Sequence, residues 1–183
     1  MKILMIYPQI DAPLGTNHGI ASLAGVLHAN GHELDLMHVS EKYKPVPSSQ
    51  EIIDHINETK PGLVGFSVMS QQYEWVEEKS KDIRKAMPDF VQVIGGVHCT
   101  MVPDDVHKSK LFDYVCVGEG DWALMELMDA LEKGDRPHTL PNFRSWMAGV
   151  PVSNPVAPFP DLEKLPPLDY DVFDMQAVME ETR

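Results

Sequence analysis

Five short apolar runs, each followed by a segment of helical period, set the fold of this chain. The runs are residues 3–7, 34–39, 63–69, 91–94 and 114–117. They are rich in Val, Ile and Leu, as strands buried on both faces are. The run with Asp35 and His38 is the most polar and suits an edge. Between the runs, Ile20, Leu23, Ala24 and Leu27 share one helical face, with Gly31 placed as a C′ residue. Gly25 within that helix costs propensity unless it lets helix and sheet approach closely. Ser48 and Glu51 have capping-box spacing ahead of Ile52, Ile53 and Ile56. A third helix carries Tyr73, Val76, Ile83 and Met87 inward and stops at Pro88. The last begins at an N-cap Asp121, turns Trp122, Met125, Met128 and Leu131 to one side, and ends at Gly134. The fourth crossover is the weakest, with a short helix starting at Pro103.

Strand–helix alternation of this kind makes an α/β fold with a doubly wound, five-stranded parallel sheet. The flavodoxin-like order 2-1-3-4-5 fits, because it buries strands 1, 3 and 4 on both faces. Ligands of such sheets sit beyond the carboxyl ends of the strands, at the switch point between strands 1 and 3.

Composition narrows the function. With 15 Lys+Arg against 28 Asp+Glu, the net charge of −13 argues against nucleic acid or an anionic membrane as partner. Two cysteines, Cys99 and Cys116, make no disulfide framework. No apolar run reaches the roughly 18 residues of a membrane span, and the start lacks a signal-peptide pattern; the expectation is a cytoplasmic protein. Eight of the 15 prolines lie in the last 47 residues, which puts a boundary near residues 134–137. The expected parts are an α/β domain over 1–136 and an irregular segment over 137–183.

The loops at the carboxyl edge carry the candidate chemistry. The first, from Pro8 to Gly19, is long for a strand-to-helix connection. It has neither GxGxxG nor the Lys-Ser/Thr of a P-loop, which disfavours a dinucleotide or nucleoside triphosphate. A phosphorylation receiver would need an acidic cluster at strand 1 and a Lys after strand 5, and neither is present. The loop after strand 3, from Ser67 to Gln72, is small and uncharged. After strand 4 comes Gly95-Gly96-Val97-His98-Cys99-Thr100, and after strand 5 Gly118-Glu119-Gly120-Asp121. Glycines at strand ends make tight turns, or let backbone lie close to a ligand because no Cβ intervenes. Three glycine-marked loops on one edge point to a large, flat ligand.

The first-strand motif Ile3-Leu4-Met5-Ile6-Tyr7-Pro8, the segment Gly65-Phe66-Ser67, the run from Val93 to Thr100 and the run from Asp113 to Asp121 together resemble the N-terminal cobalamin-binding domain of radical S-adenosylmethionine enzymes. That group holds methyltransferases and relatives of anaerobic Mg-protoporphyrin monomethyl ester cyclase. The resemblance covers about the first 134 residues. It implies cobalamin as cofactor and, as partner, the radical S-adenosylmethionine domain of the same protein. It also implies a hairpin over 142–146 and 150–154 and a Pro-rich connector over 161–167.

The cofactor-binding candidates are Pro8, Gly15, Thr16, Asn17, His18 and Gly19 in the first loop; Ser67, Val68 and Met69 after strand 3; Gly95, Gly96, His98 and Thr100 after strand 4; and Glu119 and Gly120 after strand 5. His98 and Thr100 either bond the corrin amides or nucleotide tail, or cap the following turn. Glu119 either accepts from the cofactor or sits with Asp121 at a helix start. No catalytic or metal-ligating residue is assigned. The Asp-x-His-x-x-Gly pattern of methionine-synthase-type domains is not met by Asp11-Ala12-Pro13-Leu14-Gly15, so no imidazole of that kind ligates cobalt. His28 and His32 stand four apart, but Gly31 ends the helix between them. With only two cysteines there is no CxxxCxxC, so the [4Fe-4S] cluster and S-adenosylmethionine would belong to a domain outside this chain. The expectation is therefore a piece of a longer enzyme or a stand-alone module. The alternatives are a degenerate flavodoxin-like module that docks or supports without a cofactor, and a small flavin or nucleotide binder.

Overall fold

The computed structural model describes residues 1–42 and 44–181. Its centre is a seven-stranded sheet of order β2-β1-β3-β4-β5-β6-β7. The strands are β1 (Lys2–Pro8), β2 (Glu33–Val39), β3 (Leu63–Ser67), β4 (Val91–Gly95), β5 (Tyr114–Cys116), β6 (Phe143–Met147) and β7 (Val150–Ser153). β1 to β5 pair in parallel in the expected order, with β2 at the edge.

Five strands is too few. The expected hairpin forms, and it extends the same sheet: β6 pairs antiparallel with β5, setting Phe143 opposite Cys116, and β7 pairs antiparallel with β6. The hairpin starts and ends at the carboxyl edge, so the chain leaves β7 beside the loop after β5.

Helices cover both faces. On one, α1 (His18–Ala29) and α6 (Asp121–Glu132) pack together and bury Ala24, Leu27, Leu124, Leu127 and Met128 over Ile3, Met5, Leu63, Val93 and Tyr114. On the other, α2 (Ser49–Thr59), α3 (Tyr73–Ala86), α4 (Val97–Met101) and α5 (Pro103–Lys108) bury Ile52, Ile56, Val76, Ile83, Cys99 and Val106 over Leu4, Ile6, Val64, Phe66 and Ile94. The period-2 alternation of each strand sends its odd and even residues to these two cores. A final helix, α7 (Met175–Glu181), closes the described chain.

Local signals are realised where they are self-contained. Ser48 and Glu51 form the reciprocal capping box of α2. Helix α1 ends in a Schellman pair, with Gly31 at φ 81° and the His32 and Gly31 N–H groups donating to Leu27 and His28 carbonyls. Gly134 ends α6 in the same way at φ 85°.

Four expectations change. The third strand stops at Ser67, because the chain tightens into a 3₁₀ turn over Ser70–Gln72. The fourth crossover holds two short helices, α4 and α5. Asp121 is the first residue of α6, not its N-cap; Gly120 holds that position without a side-chain cap, and the Asp121 carboxylate instead accepts from Ser22 Oγ at 2.5 Å. Gly25 clears the C-terminal segment instead of the sheet: a Cβ there would lie 2.2 Å from the Pro167 carbonyl oxygen.

That last contact belongs to a longer return of the chain over α1. Asp169 N–H donates to Ala21 O at 2.9 Å, and the Asp169 carboxylate meets His28 Nδ1 at 2.7 Å. Tyr170 hydroxyl meets His18 Nδ1, and Phe173 is buried against Tyr7, Ile20 and Ala21. His32 meets Asp129 at 3.1 Å, so the two histidines four apart have separate partners. Among the described residues no helix is long and apolar enough to cross a membrane.

Candidate functional site

A cleft of about 680 Å³ opens at the carboxyl edge and runs down the α1/α6 face of the sheet. Its depth follows from side-chain alternation. On that face β1 presents Met5 and Tyr7, β4 presents Val93 and Gly95, and β3 presents Gly65 and Ser67. Gly65 contributes no side chain, and the flexible ends of Ile3 and Met5 lean into the space above it, 2.9 and 3.0 Å from where a Cβ would sit. Leu23 and Leu124 from α1 and α6 form the opposite wall, so the inner part is apolar.

The mouth is built by the glycine-marked loops. Gly96 adopts φ 98°, ψ −173°, a region open essentially to glycine alone, and a Cβ there would come within 2.8 Å of Val68 N and O. The loops after β3 and β4 are therefore in backbone contact, tied by Val68 N–H to Gly95 O at 3.0 Å and His98 N–H to Val68 O at 3.2 Å. Thr100 Oγ1 accepts from Gly118 N–H at 3.1 Å and donates to Gly96 O at 3.3 Å, linking the loops after β4 and β5. Gly118, at φ 82°, allows Val156 to approach: its Cβ would meet Val156 Cγ1 at 3.1 Å.

Of the candidates named from the sequence, Asn17, Gly19, Ser67, Val68 and Met69 line the cleft, as do Gly95, Gly96, Thr100, Glu119 and Gly120. Five do not. Pro8 ends β1. Gly15 N–H donates to Gln9 Oε1 at 3.0 Å within the first loop, and Thr16 lies beside it. His18 turns to Tyr170. His98 points to Ser70 Oγ at 3.0 Å and stacks on Tyr73 with ring centres 4.3 Å apart; burial lowers its pKa.

Asn17 has two jobs. Its Oδ1 accepts from Ile20 N–H at 3.1 Å as the N-cap of α1, and it lines the cleft with Tyr7, whose phenol pKa is raised by burial, with Asn17 and Gln9 opposing the rise. The α1 N-terminus thus faces the cleft with no acidic residue in its first turn. Both thiols are buried, and burial pushes Cys99 and Cys116 up to about 12.

Sequence reasoning missed Tyr7, Gly65, Val97, Met101 and Gly118, and the whole wall made by Val156, Ala157, Pro158 and Phe159. The spacing of strand 1 could have supplied Tyr7. Nothing local marks residues 156–159, which reach the cleft through the return of the hairpin. The rim is apolar and open: Met69 is 41%, Val97 63%, Met101 73% and Phe159 85% exposed.

Comparison with known proteins agrees with this geometry. The family profile described as B12 binding domain matches residues 12–128. The anaerobic magnesium-protoporphyrin IX monomethyl ester cyclase of Rubrivivax gelatinosus is 27% identical over 141 residues, which is 73% of this chain and 25% of the cyclase. The cobalamin-dependent S-adenosylmethionine radical enzyme OxsB, solved with aqua-cobalamin and S-adenosylmethionine bound, superposes with a TM-score of 0.81 at 15% identity, covering 98% of this chain and 25% of that one. The radical S-adenosylmethionine methyltransferase TsrM of Kitasatospora setae, solved with cobalamin and a [4Fe-4S] cluster, gives 0.72 at 19% identity, over 91% of this chain and 31% of that one. This chain therefore spans about a quarter of the cyclase it matches and under a third of either enzyme.

Proposed function

Since this chain belongs to the B12 binding domain family, we propose that it holds cobalamin at the carboxyl edge, as one module of a radical S-adenosylmethionine methyltransferase or cyclase. The observation that carries this reading is the cleft itself. Six of its glycines, Gly19, Gly65, Gly95, Gly96, Gly118 and Gly120, stand where a Cβ would meet a neighbour within 3.4 Å, backbone at Gly96 and a side chain at the others, so these positions project no side chain of their own into the slot. Such a slot suits a broad, flat ligand better than a small polar metabolite.

The apolar depth between Gly65, Val93 and Leu124 suits the aromatic base of the cofactor's nucleotide tail. Ser67 offers a hydroxyl near the mouth, while the Thr100 hydroxyl is engaged with Gly96 O and Gly118 N–H and holds the loops that shape it. The N-terminus of α1, capped by Asn17, carries partial positive charge of the kind that favours the phosphate of that tail. Glu119 and Asp121 are the titratable carboxylates of the lining. They disfavour a polyanion such as a nucleoside triphosphate and tolerate a ligand whose periphery is amide-rich. The exposed apolar rim of Met69, Val97 and Met101 suits the edge of a corrin ring.

When bound, the cofactor would supply a cobalt centre able to carry a methyl group or take part in radical chemistry. The residues of this chain bind it, orient it and keep water from its inner face. Cys99 and Cys116 are buried thiols and do not supply cluster ligands, so cleavage of S-adenosylmethionine would fall to a separate radical domain.

The test is direct. Hydroxocobalamin is added to the purified protein, which is gel-filtered and read for the cofactor's visible bands and retained stoichiometry. One equivalent retained is expected. No retention at high micromolar cofactor would overturn the reading.

A further inference from the structure

Asn142 precedes β6 and sits outside every motif of the first 134 residues, yet both ends of its side-chain amide and both of its backbone groups are hydrogen-bonded beside the cleft. It is 6% exposed and adopts φ 66°, a left-handed conformation that asparagine tolerates better than most residues. Its side-chain Nδ2 donates to Glu119 O at 2.5 Å, in the loop after β5. Its Oδ1 accepts from Ala157 N–H at 2.5 Å. Its backbone N–H donates to Pro155 O at 3.0 Å, and its carbonyl accepts from Val117 N–H at 2.7 Å.

One buried amide thus joins two walls of the cleft. The first is the loop from Val117 to Gly120. The second is the strap from Pro155 to Phe159, which crosses from β7 over Gly118 toward α1. Among the described residues, the next backbone hydrogen bond that ties the chain beyond the strap to the helices is from Asp169 N–H to Ala21 O. Between those anchors Phe159 and Leu162 are 85% and 78% exposed. The strap's placement on the cleft therefore depends on its fastening at the β6 end.

We infer that Asn142 is a positioning residue that latches the strap against the β5 loop and so sets how slowly a ligand leaves the cleft. The inference rests on the cobalamin reading for the identity of that ligand. An amide is the group the geometry requires. A carboxylate could accept from Ala157 but not donate to Glu119 O, and a residue without a side chain could do neither. Asn142→Gly removes the latch while keeping the backbone conformation, since glycine adopts positive φ freely.

The experiment has two readouts on wild type, Asn142→Gly and Asn142→Asp. Amide hydrogen exchange at Ala157 reports the strap without any cofactor, with the β2 amides as the control for global stability. Stopped-flow chase of bound hydroxocobalamin by excess cyanocobalamin reports dissociation. In Asn142→Gly, exchange at Ala157 and cofactor dissociation are each expected to rise about tenfold, equivalent to about 1.4 kcal/mol, with β2 exchange unchanged. Asn142→Asp keeps Ala157 protected and speeds dissociation less.

Unchanged Ala157 exchange in Asn142→Gly overturns the latch. Faster exchange with unchanged dissociation overturns its role in retention. Faster β2 exchange to the same extent makes Asn142 merely a stability residue and overturns the inference as well. Failure of the wild type to bind hydroxocobalamin overturns the cofactor reading and the retention role together, while Ala157 exchange still reports whether the latch exists.

Discussion

Replacing Gly96 with alanine tests whether the loops after β3 and β4 are held by backbone contact. The backbone at φ 98°, ψ −173° lies in the region that is essentially glycine's own, and an L-residue there costs about 1–3 kcal/mol. The added Cβ would stand 2.8 Å from both Val68 N and Val68 O. Backbone atoms are the obstacle, so no side-chain rotation relieves the overlap. The β3 loop must move by about half an ångström to restore ordinary contact, a strain of about 1–3 kcal/mol by analogy with overpacked cores. The same movement stretches Val68 N–H to Gly95 O and His98 N–H to Val68 O, each worth about 0.5–1.5 kcal/mol net.

Partial relaxation keeps these contributions from adding in full, and the expected loss is about 3–5 kcal/mol. That is a large share of the roughly 5–15 kcal/mol available to a domain. Urea unfolding followed by circular dichroism reads the loss as a lower midpoint at unchanged m-value. Gly15→Ala is the matched control, since a Cβ there meets nothing within 4 Å, and it should lie within about 0.5 kcal/mol of wild type. If Gly96→Ala unfolded at the same urea concentration as Gly15→Ala, the backbone-contact argument would be wrong.

Three further outcomes are expected. His38, stacked on Tyr7 and hydrogen-bonded to Gln9, has its pKa lowered from 6.5 to about 4 by burial; the unfolded chain therefore takes up the proton first, and stability falls as pH drops from about 6.5 to about 4, then levels. Because the ring is partly exposed the loss is about 1–2 kcal/mol, and His38→Phe should remove that part of the urea-midpoint slope, whereas an unaltered slope would refute it. Gly25→Val should displace the segment at Pro167, measured as faster proteolysis between Phe159 and Asp169; equal cleavage rates would show that the segment does not depend on Gly25. Cys99 and Cys116, pushed up to about 12 by burial, should stay unreactive to Ellman's reagent at pH 8 until denaturant releases both thiols, and prompt reaction of the folded protein would contradict their burial.

Much of the fold can be read along the chain because its signals are local. Residues 3–7 and 63–69 announce buried strands through continuous apolar runs, though the second ends two residues early, at Ser67, and Ser48 with Glu51 fixes a helix start within four residues. The order of the parallel strands follows from which runs tolerate burial on both faces. The carboxyl-edge rule then locates the site, and the loops it selects supply most of the cleft: Asn17, Gly19, Ser67, Gly96, Thr100 and Glu119 all line it. The errors cluster where a residue's role depends on a distant partner. Asp121 reads as an N-cap, but Ser22 is in reach of its carboxylate. His98 reads as either a ligand contact or a cap of the following turn, and which neighbours it meets, Tyr73 and Ser70, is set by the fold.

The amino-acid sequence by itself determined the strand–helix alternation, the parallel order and the glycine-marked edge. Periodicity, caps and missing Cβ atoms act over a few residues and need no knowledge of the rest of the chain. Only the tertiary structure decided that the hairpin joins the sheet as β6 and β7, that Val156 to Phe159 wall the cleft, and that Asn142 ties that wall to the loop after β5. Glu119 and Ala157 are 38 residues apart, and the amide that bonds both stands between them in sequence and beside both in space. Such a contact comes from where the antiparallel hairpin returns the chain, which no local pattern encodes.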